Sequence, residues 1–463
     1  MSSKSFQNAS KLNGIVSVLQ FGAVGDGVTD CTTQINAAIT ASQGKCIYFP
    51  AGTYCYNGNG PFLDTGTTVQ GDGRNASVIK VTTATPPHVF HAAGRGSGSR
   101  SLGFIAGVTQ TSGCWAKITG IESFIEDFAM TGDFNGIYFS ASVGRIRNGR
   151  MQFAAAGATR IFATGGDNSQ VIDGVLMGAQ DGPNIAAYGI LVQNNVALTI
   201  TNTSVIQMGI GLGLISPQTS DPVLNVSVSD CYFDNCTAPV KILASGTGSV
   251  NRVTFSNVWA SSSQGAGENG VTIINTSANE IGGFSFTNCQ FCLNLGSGIS
   301  ITGAASSVIS DVTIIGGIFA QNVFGIYLGE YIYGVKIIGA SIGKGGLFNA
   351  NSNTGLFVDT NVDNLLCSDN IITFNTVKQV NYNSTSGENV IRNNIGFRTQ
   401  YTGNAAITSG NSSVSFNHFC DTTPNIDAIL LTARQSLAVV GITSFWVSAV
   451  SATQISVTAS GAV

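Results

Sequence analysis

The chain has 463 residues, of which 58 are glycine and only 10% are charged. Such a chain can bury one long core beneath a surface of small polar residues, which excludes an intrinsically disordered protein. Lysine and arginine are scattered and the net charge is −4, so no basic stripe is available for nucleic acid. The absence of an apolar run of about 18 residues predicts no membrane insertion.

The segment 18–54 carries the first distinctive motif. It reads VLQFGAVGDGVTD at 18–30, continues as an amphipathic stretch to Ala41, and then reads KCIYFPAGTY at 45–54, with QGDG following at 70–73. Ile35, Ala38 and Ile39 are spaced to face one side of a short helix at about 29–42, which would cover the open end of a core. Thr29 or Asp30 can cap this helix.

This segment resembles the opening of the pectate-lyase-like superfamily, which includes bacteriophage tailspikes and related polysaccharide-modifying enzymes. The resemblance implies a right-handed parallel β-helix. It also implies a homotrimer that acts on a bacterial surface polysaccharide, attached to a phage tail or baseplate protein in the virion. Asp26 and Asp30 could be read as an acid pair, but turn and cap roles are favoured.

A turn that recurs about every 27 residues organises the region from about 117 to 395. Each turn has Asn, Asp or Gly, which tolerate left-handed backbone, and an apolar residue three positions later, which predicts the stacked coils of a parallel β-solenoid. The turn residues are Asp127, Asn148, Asp173, Asn202, Asp230, Asn257, Asn288, Gly316, Gly339 and Asp369. Their apolar partners are Met130, Met151, Leu176, Val205, Phe233, Ala260, Phe291, Phe319, Ile342 and Ile372.

A second landmark follows several of the turns. Some coils reach a Gly or Pro after nine residues, whereas three coils are longer and insert loops at about 177–188, 260–269 and 343–354. The landmark residues are Gly136, Gly189, Gly211, Pro239, Gly270, Gly325 and Gly355. Because stacked strands are about 4.8 Å apart, loops leaving one corner on separate coils could form the wall of a groove for several sugar units.

Two acids lie outside the turn positions and just past this landmark on successive coils. Glu330 and Asp359 are the predicted catalytic pair, because glycoside hydrolysis needs two carboxyl groups at about 5 to 9.5 Å. An equal alternative is that both are solvated corner residues. Asp181 and Glu268, on the upstream loops, are the second choice.

Further side chains are candidates for substrate binding. Tyr331, Tyr333 and Lys336 follow Glu330 and could stack on sugars or act as acid or base, although strand packing is the commoner role of alternating tyrosines. Arg145, Arg147 and Arg160, with Arg150, cluster in one coil and could bind carboxylates. A solvated basic face or intersubunit ion pairs would explain them equally well.

Cysteine and histidine spacing predicts no metal and no cofactor. Cys231/Cys236 and Cys289/Cys292 lack a second pair at zinc spacing, and the chain has three histidines. Free, mostly buried thiols are expected, as for synthesis in a host cytoplasm. The polygalacturonase motifs NTD, GHG and RIK are absent from the sequence.

From about 405 the period ends and short alternating segments predict antiparallel strands. They resemble the C-terminal β-sandwich of some tailspikes, or they form a plain cap. The expected domains are a segment at 1–17, a β-helix at 18–400 and a C-terminal trimerisation domain at 401–463. The favoured function is a tailspike that depolymerises surface polysaccharide by endo-glycosidic hydrolysis. The alternatives are a lyase acting by β-elimination, a non-catalytic receptor-binding fibre and a bacterial exopolysaccharide-modifying enzyme.

Overall fold

The chain forms a parallel β-solenoid of about 13 turns, which confirms the predicted all-β class. The computed structural model describes residues 14–58, 60–132, 135–153, 158–165, 167–179, 187–343, 347–386, 388–397, 399, 405–408, 411–418, 420, 429–431 and 444–460. No helix in these ranges is long and apolar enough to cross a membrane.

One side of the solenoid is a parallel sheet of twelve strands, called here the twelve-stranded sheet. Its strands lie side by side in chain order, one from each coil. They are Phe90–Ala92, Ala116–Ile118, Ile137–Phe139, Thr159–Thr164, Tyr188–Gln193, Ile210–Ser216, Ala238–Gly246, Val271–Ser277, Ser297–Thr302, Phe324–Leu328, Thr354–Val358 and Lys378–Tyr382.

The remaining sides belong mainly to a sheet of 21 strands that folds around the corners, the 21-stranded sheet. Its first half comprises Ile15–Ser17, Asp26–Asp30, Cys46–Phe49, Gly52–Tyr56, Thr68–Gly71, Ser77–Val81, Gly98–Ala106, Phe124–Gly132, Arg145–Phe153 and Asp167–Ala179. Its second half comprises Asn195–Thr201, Ser204–Ile206, Val223–Ser229, Tyr232–Asp234, Val250–Ser256, Trp259–Ser261, Ile281–Thr287, Ile309–Ile315, Ile332–Ile338, Val362–Ser368 and Val390–Arg392. A small sheet of Ile318–Phe319, Ser341–Gly343 and Ile371–Thr373 continues one face.

Left-handed residues make the corners between these faces. In one coil the strand Val250–Ser256 ends, Asn257 turns the chain with φ of 54°, and Trp259–Ser261 follows. Left-handed backbone crowds the Cβ of most residues, which explains the preference for Asn, Asp and Gly. All the predicted turn residues except Asp173 have positive φ, so the repeat inferred from the sequence is confirmed.

The assignment of Asp173 to this corner is wrong by one residue. Gly174 has the left-handed φ of 64°, and Asp173 stands in the strand, in register with Arg147 and Thr201. The inward partner is therefore Met177, which is fully buried, whereas Leu176 is 49% exposed. The dipeptide offers two turn-forming residues, and glycine takes the left-handed position because it lacks a Cβ.

The glycine landmark forms one stacked column at the start of the strands of the twelve-stranded sheet. A Cβ added at Gly325 would lie 2.6 Å from the carbonyl oxygen of Gly355, and one at Gly211 would lie 2.5 Å from that of Pro239. A Cβ at Gly325 or Gly211 would therefore clash with the backbone of the next coil. Arg160 occupies the same column, since its carbonyl oxygen would lie 2.4 Å from a Cβ on Gly136.

A ladder of buried asparagines supports the edge where the long loops leave. The side-chain oxygen of Asn322 accepts the backbone N–H and the side-chain N–H of Asn294, each at 3.0 Å, and its side-chain N–H donates to the carbonyl of Phe291 at 2.8 Å. Asn351 repeats this one coil later by accepting the backbone N–H of Asn322 at 3.0 Å and donating to Asn375 at 2.8 Å. The ladder satisfies backbone groups that the loops leave unpaired by strands.

The N-terminal end is covered as predicted. The helix Thr32–Ala41 buries Ile35, Ala38 and Ile39 against the first coils. Its first turn is held by Asp30, whose carboxylate accepts the backbone N–H of Thr32 at 2.9 Å. The predicted cap from Thr29 is not observed, because the Thr29 hydroxyl donates to Asp26 at 2.6 Å. Asp26 and Asp30 are therefore both engaged in local turn contacts.

The C-terminal region contains a separate antiparallel sheet. Its strands are Ser413–Asn417, Phe445–Val450 and Gln454–Ala459, with the last strand in the middle. Trp446 is 48% exposed on this sheet. The change from parallel to antiparallel pairing agrees with the loss of period in the sequence. Residues 421–428 and 432–443 of the region predicted to form antiparallel strands lie outside the described residues.

Candidate functional site

The outward face of the twelve-stranded sheet presents one column of side chains along the solenoid axis. Successive strands pair in register, and neighbouring positions in each strand point into the core. The column is Lys117, Tyr138, Phe162, Leu191, Gly213, Lys241, Thr272, Ser300, Tyr327, Phe357 and Asn381. Aromatic residues are thus concentrated towards its two ends, and small or polar residues fill the middle.

An aromatic cluster forms the C-terminal end of this column. The rings of Tyr327 and Phe357 stack with centroids 4.7 Å apart and an angle of 3° between their planes. Phe324 packs edge-on against both, at 5.5 Å and 5.8 Å. All three side chains are partly exposed. Such a surface offers flat apolar faces of the kind that sugar rings can stack against.

Glu330 and Asp359 lie at the corner beside this cluster. Leu328 and Val358 are the paired last residues of adjacent strands, and the backbone N–H of Asp359 donates to the carbonyl of Leu328 at 2.9 Å. Asp359 therefore stacks on Gly329, one residue from Glu330. Glu330 is exposed and Asp359 is partly exposed. The structure brings the two predicted acids to one corner on adjacent coils.

Each acid has local hydrogen bonds that hold its segment. A side-chain oxygen of Asp359 accepts the backbone N–H of Thr360 at 2.8 Å, which orients the carboxylate across the turn. The carbonyl of Glu330 accepts the N–H of Gly303 from the preceding coil at 2.9 Å. The backbone at this corner is thus fixed by inter-coil bonds, while the Glu330 side chain remains in solvent.

Tyr327 is a site residue that the sequence reasoning missed. Burial, and then the charges of Asp359 and Glu330, raise the pKa of its hydroxyl above the ordinary value. Tyr327 is therefore a neutral O–H donor at physiological pH, within electrostatic reach of both acids. The sequence could have indicated Tyr327 by its position, which is three residues before Glu330 and on the outward side of an alternating strand.

The three candidates after Glu330 lie on the far side of the same corner. Tyr331 has a left-handed φ of 57° and is partly exposed in the turn. Tyr333 and Lys336 point outward from Ile332–Ile338 in the 21-stranded sheet. They therefore flank Glu330 from a different face and do not share the surface of Tyr327 and Phe357.

The second-choice acids are separated from this corner. Glu268 precedes the strand Val271–Ser277, at the opposite edge of the twelve-stranded sheet, and is partly exposed. Its carbonyl accepts the hydroxyl of Ser263 at 2.7 Å and the N–H of Gly296 at 2.8 Å. Asp181 lies outside the described residues. Phe348, in the described part of the predicted loop at 343–354, lies 5.9 Å from Trp259 of the neighbouring face between ring centroids.

The arginines are not gathered into one free cluster. Arg145 makes an ion pair with Glu126 at 2.5 Å, and its guanidinium lies 4.7 Å from the centroid of the Phe124 ring. Arg147 is exposed, and its strand neighbours in register are Glu126 and Asp173. Glu126, Arg147 and Asp173 follow one another on three adjacent strands, so negative and positive charges alternate there. The positive charge of Arg147 is therefore largely compensated.

Arg160 is the exception among the predicted surface residues. Its relative exposure is 1%, so it lies within the solenoid wall and apart from Arg145 and Arg147. An arginine is normally taken for a surface residue, and only the backbone register reveals its position in the glycine column. Arg150 is exposed on Arg145–Phe153, as expected.

No disulfide joins any of the ten cysteines. Burial raises the pKa of Cys236 and of Cys367 to about 12, so these two thiols stay protonated. Across the described residues, no group of three or more His, Cys, Asp or Glu side chains could hold a metal ion.

A family model described as rhamnogalacturonase A/epimerase, pectate lyase-like, matches residues 15–258. Comparison with curated proteins gives no significant match. Several solved structures share the solenoid at low identity. The mannuronan C-5 epimerase A-module of Azotobacter vinelandii has a TM-score of 0.52 at 16% identity, covering 81% of this chain and 100% of that chain.

Two bacteriophage proteins are similar to the same extent. Tailspike protein 3 of bacteriophage CBA120 has a TM-score of 0.54 at 16% identity, covering 89% of this chain and 67% of that chain. Gene product 12 of bacteriophage phi29 has a TM-score of 0.54 at 16% identity, covering 83% of this chain and 58% of that chain. At these identities the likeness is one of fold.

Proposed function

This chain belongs to the rhamnogalacturonase A/epimerase, pectate lyase-like family, and from that premise we propose that it is a phage or prophage tailspike that binds and depolymerises a bacterial surface polysaccharide. The observation that carries the proposal is the placement of Glu330 and Asp359 on adjacent coils beside an aromatic face. The similarity in fold to a bacteriophage tailspike protein and to a mannuronan epimerase module supports a glycan as the substrate.

The polysaccharide lies along the outward face of the twelve-stranded sheet in this proposal. Tyr327 and Phe357 supply stacking faces. Adjacent coils are about 4.8 Å apart, so the two carboxyl groups fall near the range of about 5 to 9.5 Å used by glycosidases.

The favoured reaction is endo-glycosidic hydrolysis. Glu330 donates its proton to the glycosidic oxygen as the bond from that oxygen to the anomeric carbon breaks. Asp359, oriented by the N–H of Thr360, takes a proton from the attacking water, whose oxygen bonds to the anomeric carbon. Tyr327 donates a hydrogen bond to substrate or to a carboxylate and holds the pair in place.

A lyase is the second candidate, and it is favoured by the position of the partly exposed Tyr327 on the strand that ends beside Glu330 and Asp359. In β-elimination a base removes the proton next to a uronate carboxylate, and an acid protonates the departing glycosidic oxygen. The neutral Tyr327 could supply that proton. Products of a lyase carry a carbon–carbon double bond and absorb in the ultraviolet, whereas products of a hydrolase do not.

The assembly is also part of the proposal. The β-helix at 18–400 would form the shaft of a homotrimer, and the antiparallel strands beyond 401 would hold the three chains together. The trimer would attach through a phage tail or baseplate protein and act at the bacterial cell surface.

The test is a pair of variants that preserve shape. Glu330→Gln and Asp359→Asn should each lower the cleavage rate at least about a hundredfold, because they remove an acid or base from the transition state. Glu280→Gln, an exposed acid on another face, is the matched control and should cleave normally. Product sizes and ultraviolet absorbance are followed on a panel of capsular and O-antigen polysaccharides.

Two results would redirect the assignment. If both variants cleave at the normal rate, the active site lies elsewhere, and Asp181 with Glu268 is examined next. If the unmodified protein binds a polysaccharide of the panel and never shortens it, the protein is a receptor-binding fibre.

A further inference from the structure

A groove opens at the N-terminal end of the same outward face, far from the acid pair. Its volume is about 570 Å³. It lies across the strands Ala116–Ile118, Ile137–Phe139, Thr159–Thr164 and Tyr188–Gln193. Its lining includes Lys117, Asn135, Tyr138, Phe162 and Gln193.

The floor of the groove combines aromatic rings with one cation. Tyr138 and Phe162 pack edge to face with centroids 5.7 Å apart, and the Lys117 ammonium lies 5.4 Å from the centroid of the Tyr138 ring. The amide of Gln193 adds a hydrogen-bonding group at one side, whereas the amide of Asn135 is already hydrogen-bonded to Gly113 and Thr159. Apolar rings flanked by polar groups suit a sugar, which has an apolar ring face and a polar rim.

Lys117 is the charged group of this groove. Among the residues that the structure describes, no carboxylate lines the groove and no ion pair involves Lys117. Burial, and then the charges of His88 and Lys117, lower the pKa of nearby His91 to about 4, so that ring is neutral at physiological pH. Lys117 thus offers a positive charge beside an aromatic floor, which complements an anion.

The groove is continuous with the proposed catalytic face. Tyr138 and Tyr327 belong to the same outward column and are separated by seven strand steps of about 4.8 Å, or about 34 Å along the axis. Between them the ring of Tyr188 lies 2.8 Å from the Cβ position of Gly213, and Lys241 adds a second cation. A single polymer lying along the column reaches both ends.

We infer that this groove is an anchoring subsite that binds a carboxylated sugar unit of the polysaccharide, with the ring on Tyr138 and Phe162 and the carboxylate at Lys117. This inference rests on the proposed function, since the same polymer extends to Glu330 and Asp359. The subsite itself performs no chemistry. It holds the polymer in register so that bonds about 34 Å away are presented to the acid pair.

The experiment measures binding of the full chain, separately from cleavage. Immobilised alginate and polygalacturonate are the carboxylated probes, and dextran and pullulan are the neutral ones. Lys117→Gln should weaken binding to the carboxylated polymers about fivefold, the range of a partly exposed charge pair, and change binding to neutral polymers by less than about twofold. Phe162→Ala should weaken binding to both kinds of polymer.

A matched variant controls for net charge. Lys45→Gln removes the same charge from an exposed position near the N-terminal end and should bind all four polymers like the unmodified protein. Melting temperatures check that each variant is folded. The double variant Glu330→Gln/Asp359→Asn should bind normally, and adding Lys117→Gln to it should again weaken binding to the carboxylated polymers.

The results separate this inference from the proposed function. Equal binding by Lys117→Gln and Lys45→Gln overturns the subsite, as does an equal loss on dextran and pullulan. Failure of the unmodified protein to bind alginate or polygalacturonate also overturns it. If binding depends on Lys117 but no polymer is ever shortened, the subsite stands and the depolymerase assignment fails.

Discussion

Replacement of Asn322 by alanine should destabilise the solenoid at the edge where the loops leave the twelve-stranded sheet. The Asn322 side chain is buried and makes three hydrogen bonds, two with Asn294 and one with the carbonyl of Phe291. A net contribution of about 1 kcal/mol for each bond gives a loss of about 3 kcal/mol in the free energy of unfolding. Partners left unsatisfied in the interior add to this loss.

Two further variants isolate the cause. Asn361→Ala removes an exposed asparagine and should change stability by no more than about 0.5 kcal/mol. Asn322→Asp keeps the volume but removes the donor to Phe291 unless the new carboxyl is protonated. Burial favours the protonated form in the folded state, so this variant should lose stability as pH rises.

Guanidinium unfolding followed by tryptophan fluorescence gives the overall loss, and hydrogen exchange at the amide of Asn294 reports the local one. If Asn322→Ala and Asn361→Ala unfold at the same denaturant concentration and exchange at the same rate, the hydrogen bonds of Asn322 do not stabilise the coils.

Three other outcomes are expected. Asp26→Asn should melt at a lower temperature than the unmodified protein above pH 4, and the two melting temperatures should converge as the pH falls towards 2. Hydrogen bonds from Thr29 lower the pKa of Asp26 from 3.8 to about 2, so their contribution to stability is lost across that pH window. Melting temperatures that differ by the same amount at every pH would contradict this. Asp230→Asn should keep fold and activity within about 1 kcal/mol, since asparagine occupies the same left-handed corner in neighbouring coils. A chain truncated after about residue 400 should be smaller than a trimer in light scattering or should aggregate, and an intact truncated trimer would refute the role of the C-terminal strands.

The repeat could be predicted because its cause is local. A left-handed corner favours Asn, Asp or Gly, so the same residue preference recurs in the sequence from coil to coil. Asp173 was misplaced because Gly174 next to it satisfies the same requirement better. The inward Met177 and the exposed Leu176 show the consequence of a shift by one residue.

The asparagine ladder could not be predicted from the sequence in the same way. Asn294, Asn322, Asn351 and Asn375 stand in irregular segments, where asparagine usually indicates a solvated turn. Their hydrogen bonds run between coils, and only the stacking of backbones shows that the four side chains meet. Arg160 escaped prediction for a related reason, since its burial follows from its place in the glycine column and not from its residue type.

The candidate site was predictable in part. The acids Glu330 and Asp359 stood out because they fall outside the repeat in a chain with few charges, and the structure places them at one corner. The surface beside them was harder to predict, because residues before and after a corner face different sides of the solenoid. Tyr331, Tyr333 and Lys336 were chosen by closeness in sequence, whereas Tyr327 shares the aromatic face.

This corner also supplies a test of where the polysaccharide lies. Tyr327 and Tyr333 are each three residues from Glu330, but Tyr327 belongs to the twelve-stranded sheet and Tyr333, which is 48% exposed, to the 21-stranded sheet. If the polymer follows the aromatic column, Tyr327→Ala should weaken binding about tenfold or more by loss of a stacking face.

Tyr333→Ala is the matched control, because it removes the same ring from the same coil. It should bind and cleave within about twofold of the unmodified protein. The reverse pattern would place the polymer on the 21-stranded sheet, along the column that leads from Lys336 back to Arg145. The acids would then still lie at the edge of the bound polysaccharide, since the corner borders both faces. Tyr327, however, could no longer be the group that orients the two acids against the substrate.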